Sequence, residues 1–147
     1  MIPFTAEITI GRPVEDVFRL VAEPTNYVKW MKGITSVEAI SAPPTRAGSK
    51  VRMLGKLGLW KVDGPMEITE YEANRKFGIS MAIPGVMQFH AVWNFETSGP
   101  GTTRIYETGQ AGLLGLWKLL EPFMAGEVKN GEAEELKKIK TVLEKHT

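Results

Sequence analysis

The sequence contains no cysteine among its 147 residues. This absence excludes a disulfide framework, a thiolate nucleophile and a zinc site built on cysteine ligands. Histidine is scarce as well, with only His90 and His146 present. Since His, Asp and Glu do not cluster at the spacing of metal ligands, we predict no metal site and no cofactor.

The sequence also lacks a strong charge imbalance and a long apolar run. Its formal net charge is +1, which gives no global attraction to nucleic acid or to an anionic membrane. The longest apolar run, residues 111–117, is far shorter than the ~20 residues of a membrane span. The N-terminal residues have neither the basic start nor the apolar stretch of a signal peptide. We therefore expect a cytoplasmic protein with no nucleic-acid partner and no stable membrane insertion.

The composition is that of a globular protein, with 43% hydrophobic and 24% charged residues. A chain of this length is most simply one domain over residues 1–147. Such a domain buries roughly 70% of the surface that its unfolded chain exposes, so it has room for a core and for a cavity within that core.

The apolar periodicity predicts one strand, two short helices, six more strands and a long helix. Residues 4–10 alternate as a half-buried strand does. Pro13 followed by acidic residues is typical of a helix start, and residues 26–31 predict a second short helix. Short turns join the later strands, which must then be antiparallel. The six predicted strands are residues 34–40, 49–56, 60–71 with an interruption at 63–65, 77–83, 87–95 and 102–109.

Several motifs occur in a characteristic order along essentially the whole chain. They are Pro13–Phe18, Trp30 before Val37-Glu38, Ala47–Ser49, Ile68–Tyr71 followed by Asn74-Arg75, Phe95 ahead of Gly101–Arg104, and residues 136–144. In this order and spacing the sequence resembles the START-like, or SRPBCC, superfamily, in particular its polyketide cyclase/dehydrase and lipid-transport branch. The resemblance implies an α+β helix-grip fold. In that fold a curved seven-stranded antiparallel sheet surrounds a long C-terminal helix, two short helices lie between strands 1 and 2, and an apolar cavity lies between sheet and helix.

The resemblance also implies which side chains border that cavity. The predicted wall consists of Trp30, Met53, Trp60, Phe77, Met81, Phe89, Trp93, Phe123, Met124 and Val128. The predicted mouth consists of Leu57, Gly58, Leu59, Pro84, Gly85 and Leu116. Residues 116–143 are interpreted as one helix whose first half covers the cavity, and Pro122 and Gly126 would permit a kink there.

Three polar residues are candidates for orienting a ligand in such a cavity: Glu70, Glu107 and Arg52. The direction of Glu107 stays open at this point, because Ile105 favours odd positions facing inward whereas Tyr106 favours even ones if it pairs with Trp93. A solvated carboxylate on the strand surface is the favoured interpretation of either glutamate. His90 alternates with Phe89 and is expected on the surface, and no catalytic residues are assigned.

Three functions fit these patterns. The favoured one is binding, or carriage, of a small hydrophobic molecule such as a lipid, isoprenoid or polyketide-like compound. The second is a cyclase or dehydratase acting on a polyketide-like substrate in the same cavity. The third is an interaction protein with a filled core that acts through its surface. For any of them we expect a monomer or weak homodimer, and the apolar residues near Leu116 are compatible with transient membrane contact.

Overall fold

The computed structural model describes residues 1–145, so His146 lies outside the described residues. The strands are β1 (Ile2–Ile10), β2 (Ile34–Ala39), β3 (Lys50–Leu57), β4 (Trp60–Glu72), β5 (Lys76–Ile83), β6 (Met87–Gly99) and β7 (Thr102–Leu113). The α-helices are α1 (Val14–Ala22), α2 (Tyr27–Trp30) and α3 (Glu121–Glu144), and two 3₁₀ segments span Pro24–Asn26 and Gly115–Leu120.

All seven strands form one antiparallel sheet in the order β1-β7-β6-β5-β4-β3-β2. From β2 onward each strand pairs with the next one along the chain. The last strand, β7, also pairs with the first strand, β1, from Ile2↔Ala111 to Ile10↔Thr103. The predicted α+β helix-grip fold is therefore confirmed. None of the helices within residues 1–145 is long and apolar enough to cross a membrane.

The two short helices α1 and α2 pack together through buried aromatic side chains. The indole Nε1–H of Trp30 donates to the carbonyl of Leu20 at 3.1 Å, and the hydroxyl of Tyr27 donates to the carbonyl of Ala22 at 2.9 Å. Both rings are fully buried. Because each polar atom finds a backbone partner, these large side chains close one end of the sheet without the cost of an unpaired donor.

Strand β4 is continuous, so the predicted interruption at residues 63–65 is wrong. Pro65 lies opposite Arg52 of β3, whereas pairing of β4 with β5 begins only at Met66. Residues 60–65 therefore have one unpaired edge. Proline lacks a backbone N–H and is tolerated in a strand where no ladder hydrogen bond is needed from it.

The long helix starts later than the sequence predicted. Residues Gly115–Leu120 form a separate 3₁₀ segment, and α3 then runs without interruption from Glu121 to Glu144. Pro122 lies in the first turn of α3, where its missing N–H would have no intrahelical partner in any case. Farther along, Leu136 and Ile139 are buried against the sheet as core residues.

Candidate functional site

A cavity of about 490 Å³ lies between the concave face of the sheet and helix α3. Strands β5, β6 and β7 supply its floor, and the first half of α3 supplies its roof. Its wall consists of Trp30, Met31, Lys32, Ile34, Leu57, Gly58, Leu59, Trp60, Ile79, Met81, Met87, Phe89, Trp93, Ala111, Trp117, Leu120, Met124, Glu127, Val128, Gly131, Glu132 and Glu135. This set is mainly aromatic and aliphatic, with charged groups at one end. The space between the sheet and α3 is therefore not filled by side chains.

The mouth, defined here as residues 57–60 of the β3–β4 turn together with the 3₁₀ segment Gly115–Leu120, is strongly apolar. Leu59 is fully exposed, and the rings of Trp60 and Trp117 meet edge to face across the mouth with centroids 5.3 Å apart. Glycine is required in the turn, because Gly58 has a positive φ of 59° that other residues rarely adopt.

Seven of the ten predicted wall residues border the cavity: Trp30, Trp60, Met81, Phe89, Trp93, Met124 and Val128. The other three do not. Met53 and Phe77 are buried in the core away from the cavity, and Phe77 is covered by Tyr27 and Trp93 at centroid distances of 6.0 and 5.6 Å. Phe123 is 80% exposed, because it precedes Met124 on α3 and one residue turns the helix by about 100°.

The predicted mouth is partly corrected as well. Leu57, Gly58 and Leu59 border the cavity, whereas Pro84, Gly85 and Leu116 do not. Pro84-Gly85 forms the predicted turn, closed by the Val86 N–H donating to the Ile83 carbonyl at 2.9 Å, but it lies beyond the cavity. Leu116 belongs to the mouth segment but is 86% exposed, and its neighbours Trp117 and Leu120 border the cavity instead.

Glu70 and Arg52 lie on the outer face of the sheet, so they are not polar groups of the cavity. Arg52 alternates with buried Val51 and Met53 and makes ion pairs with Glu38 at 3.2 Å and Asp63 at 2.9 Å. Glu70 lies 3.8 Å from the ammonium of Lys76. The β-bulge between Ile68 and Glu70 shifts the alternation of β4 and directs Glu70 outward.

Glu107 faces inward and is fully buried, so the favoured interpretation of a solvated carboxylate is wrong for this residue. The register places Glu107 directly opposite Trp93, and Tyr106 opposite Asn94. Odd positions of β7 therefore face the core, as Ile105 indicated. Glu107 is not itself part of the cavity wall, but its carboxyl interacts with Glu132 and Trp93, which are.

Two further glutamates of α3 complete what we call the carboxyl cluster: Glu107, Glu132 and Glu135. Burial raises the pKa of Glu107 to about 8. Burial, and then the neighbouring charge of Glu107, raise the pKa of Glu132 to about 9. Burial and Glu132 likewise hold the pKa of Glu135 well above its ordinary value. The Glu107–Glu132 pair thus retains a proton at neutral pH, because two buried carboxylates in contact repel each other.

The cluster is incompletely satisfied within the described part of the chain. Apart from a proton shared between the two carboxyls, both oxygens of Glu107 and one oxygen of Glu132 lack a donor in good geometry, and the indole Nε1–H of Trp93 lacks an acceptor in such geometry. Glu135 is better placed, since its Oε2 accepts the backbone N–H of Lys32 at 2.7 Å. Unpaired buried polar groups cost free energy, so they call for a structural or functional explanation.

Sequence reasoning missed Glu132 and Glu135, because residues 131–140 resemble a solvated helix surface. That interpretation holds for Glu134, which is exposed, but not for Glu132. The available signal was position: Glu132 lies four residues after Val128 and four before Leu136, on the apolar stripe of α3. Within residues 1–145 no group of three or more His, Asp or Glu side chains has an arrangement suited to a metal ion. His90 is exposed, as predicted.

A comparison with models of known protein families relates this chain to one family. A family model described as polyketide cyclase / dehydrase and lipid transport matches residues 1–144. The chain belongs to this family. The resemblance drawn from the order of its motifs is thereby confirmed, and the family supports hydrophobic ligand binding or a polyketide cyclase role. A search of curated proteins found no match.

Several solved structures have the same fold. A protein from Thermus thermophilus is 20% identical with a TM-score of 0.75, and 94% of each chain is covered. A START superfamily protein from Mycobacterium smegmatis is 13% identical with a TM-score of 0.76 and 99% coverage of both chains. The di-domain ARO/CYC BexL from the BE-7585A biosynthetic pathway is 17% identical with a TM-score of 0.77, covering 98% of this chain and 47% of that one. At these identities the comparisons show one thing: this member of the polyketide cyclase/dehydrase family has the same fold as these three proteins.

Proposed function

We propose that this protein binds a small, mostly apolar molecule in the cavity between its sheet and helix α3. The observation that carries the proposal is the cavity itself, about 490 Å³ in volume and bordered by tryptophan, phenylalanine, methionine and aliphatic side chains. Cavities of this size and lining are typical of small-molecule sites. Methionines such as Met81 and Met87 adapt their shape to irregular apolar ligands.

Burial of apolar surface would supply the affinity. Each Å² removed from water contributes about 25 cal/mol, from which the cost of association is deducted. All four tryptophans of the sequence border the cavity, so a bound ligand changes their surroundings directly. Lipids, isoprenoids and polyketide-like compounds are the classes of molecule that fit such a wall.

The first test is organic extraction of the purified, denatured protein followed by mass spectrometry, in which a stoichiometric apolar molecule would support the proposal. The second test fills the cavity. Met87 lies on its wall, whereas the adjacent Gln88 is exposed on the outer face of β6. Met87→Trp is expected to weaken binding of an apolar fluorescent dye at least about tenfold, and Gln88→Trp to leave it unchanged. Equal binding by both variants and the wild type would show that the dye binds elsewhere.

A second candidate function is acid/base catalysis of the cyclase or dehydratase type on a polyketide-like substrate. The observation that favours it is the Glu107–Glu132 pair, whose carboxyls are buried beside the cavity and have raised pKa values. A carboxyl whose pKa lies near neutral pH is suited to give and take protons. Turnover of a polyketide-like substrate that depends on pH and is lost in Glu132→Gln would establish this function. Ligand binding without turnover in wild type and variant would exclude it.

The apolar surface in and next to the mouth supports carriage rather than mere storage of the ligand. Leu59, Leu116, Leu119 and Phe123 are 100, 86, 75 and 80% exposed, and exposed lysines lie beside them at positions 56, 61 and 118. Apolar side chains beside basic ones suit the interface of an anionic lipid bilayer. The occupant that we propose for the mouth is therefore a membrane surface, contacted transiently while ligand is exchanged.

A further inference from the structure

The carboxyl cluster is assembled from two elements that face each other across the cavity end. Glu107 projects from β7, and Glu132 and Glu135 lie one turn apart on α3. Trp30 and Trp93 border the cavity at the same end, with ring centroids 5.5 Å apart at an interplanar angle of 82°. The end of the cavity therefore combines acidic groups with aromatic rings.

Within the described residues, the carboxyl cluster has more hydrogen-bond acceptors than donors. Glu107 is fully buried, and beyond the proton it can share with Glu132 and the nearby Trp93 N–H no group of the described chain donates to its oxygens or to the free oxygen of Glu132. A buried carboxyl that serves only the fold is normally hydrogen-bonded. The unpaired oxygens indicate that a partner from outside the chain completes the site.

No protein cation pairs with Glu107 or Glu132 within residues 1–145. The basic side chain on the cavity wall is Lys32, whose exposed ammonium lies 3.6 Å from the exposed Glu134. Within the cluster Lys32 acts on Glu135, which accepts its backbone N–H and feels its charge only weakly. The pair formed by Glu107 and Glu132 is thus left without a counter-ion from the described chain.

We infer that the ligand of this cavity is an amphiphile with a protonated amine, and that the amine is held by the carboxyl cluster. This inference rests on the proposed binding function and adds the chemical class of the ligand. An ammonium group donates up to three hydrogen bonds, which matches the unpartnered oxygens of Glu107 and Glu132. The rings of Trp30 and Trp93 supply electron-rich surfaces that attract a cation.

Proton balance is consistent with this assignment. In the ligand-free protein at neutral pH Glu107 and Glu132 each hold a proton, because burial raises the pKa of both groups. When the ammonium enters, the pair releases one of these protons to solvent, and the cation binds the carboxylate so formed while the other carboxyl keeps its proton. The Trp93 N–H lies beside Glu107 and can donate to it once Glu107 is ionised. Amine binding should therefore strengthen as pH rises from about 6 to 8.5, below the pKa of about 10 of an alkylamine.

The test compares dodecylamine with dodecanol, which have the same chain but different head groups. Binding is followed through the fluorescence of the four tryptophans. At pH 7.5 we expect dodecylamine to bind about tenfold more tightly than dodecanol, since hydrogen bonds to charged groups exceed neutral ones by that order. In Glu132→Gln this preference, taken as the ratio of the two affinities within the same variant, should fall to about threefold or less.

Glu134→Gln is the matched control, because Glu134 lies on the same helix but is exposed, and it should keep the full preference. Circular dichroism shows whether a variant is folded, and Glu107→Gln replaces Glu132→Gln if the latter does not fold. Dodecanol binding as tightly as dodecylamine in the wild type, or a preference kept in both cluster variants, would overturn the inference and leave the proposed function intact. Absence of binding by either probe would overturn both.

Discussion

The two ends of the cavity differ from each other, and each departs from the usual placement of apolar residues inside a protein and acidic residues on its surface. At the mouth, Leu59 and Phe123 expose apolar side chains to solvent, whereas at the other end the carboxyl cluster is buried among aromatic rings. Helix α3 serves both ends, since Met124 and Glu132 are eight residues, or about 12 Å, apart along its axis. Exposed apolar patches and buried acids both reduce stability or solubility, so they are retained where a protein needs them. The contrast supports the proposed membrane contact at one end of the cavity and the proposed ligand amine at the other.

Replacement of one tryptophan by alanine at each end of the cavity should give the largest difference in the free energy of unfolding. Trp93 is buried against Trp30 and Phe77, so Trp93→Ala is expected to lower the free energy of unfolding by about 3–5 kcal/mol. Trp117 is 39% exposed, and Trp117→Ala should cost about 1 kcal/mol or less. Urea denaturation measures both. Equal losses would mean that the mouth is as much part of the core as the other end.

The carboxyl cluster should make stability fall as pH rises. Unfolded glutamates release their protons near pH 4.5, whereas folded Glu107 and Glu132 retain them up to about pH 8 and 9. Between these values the folded state binds more protons, so the free energy of unfolding declines by up to about 1.4 kcal/mol per pH unit for each carboxyl. Thermal unfolding between pH 5 and pH 9 measures the slope.

Glu107→Gln is expected to reduce this slope, because it removes one of the groups that must ionise. The variant should be about as stable as the wild type near pH 5 and more stable near pH 9. Glu134→Gln serves as the control for a loss of acidic charge on the surface. An unaltered slope in Glu107→Gln would show that the buried pair does not govern the pH dependence.

At the mouth, polar substitutions should affect membrane binding and leave folding almost unchanged. Leu59→Ser combined with Phe123→Ser removes two exposed apolar side chains. The free energy of unfolding should therefore change by no more than about 0.5 kcal/mol. Co-sedimentation with vesicles containing phosphatidylserine should fall severalfold. If the wild type does not sediment with such vesicles, the proposed membrane contact is wrong.

A further small effect on stability is expected in the first half of α3. Gly126 lies within the helix, and a Cβ placed there would meet nothing within 4 Å. Gly126→Ala should therefore stabilise the protein by about 0.5–1 kcal/mol through helix propensity, as measured by urea denaturation. A destabilised Gly126→Ala would indicate that this part of α3 must adopt a non-helical conformation.

The fold was predictable from the sequence because its signals are local and repeated. Alternation in β6, from Met87 to Phe95, survives as the buried and exposed faces of the strand. The inward direction of Glu107 was not predictable, since it depends on the register between β6 and β7. That register is set by the turn at residues 98–101 and by an irregularity between Thr97 and Gly99.

The cavity wall was predictable in type and less so in detail. An apolar alternation identifies which strand residues face the helix, but it does not tell whether they border a space or fill it. Met81 and Phe77 lie on the same face of β5, yet only Met81 reaches the cavity, because Tyr27 and Trp93 cover Phe77. Such coverage depends on contacts between distant parts of the chain.

The one-sided pairing of β4 has a kinetic consequence. Residues 60–65 are held by β3 alone, since the ladder to β5 starts at Met66. The β3–β4 hairpin that carries Leu59 and Trp60 can thus move away from the 3₁₀ segment without breaking any hydrogen bond between β4 and β5. Local opening of this hairpin is then expected to be independent of global unfolding, and backbone amides of residues 60–65 should exchange with solvent faster than those of residues 66–72.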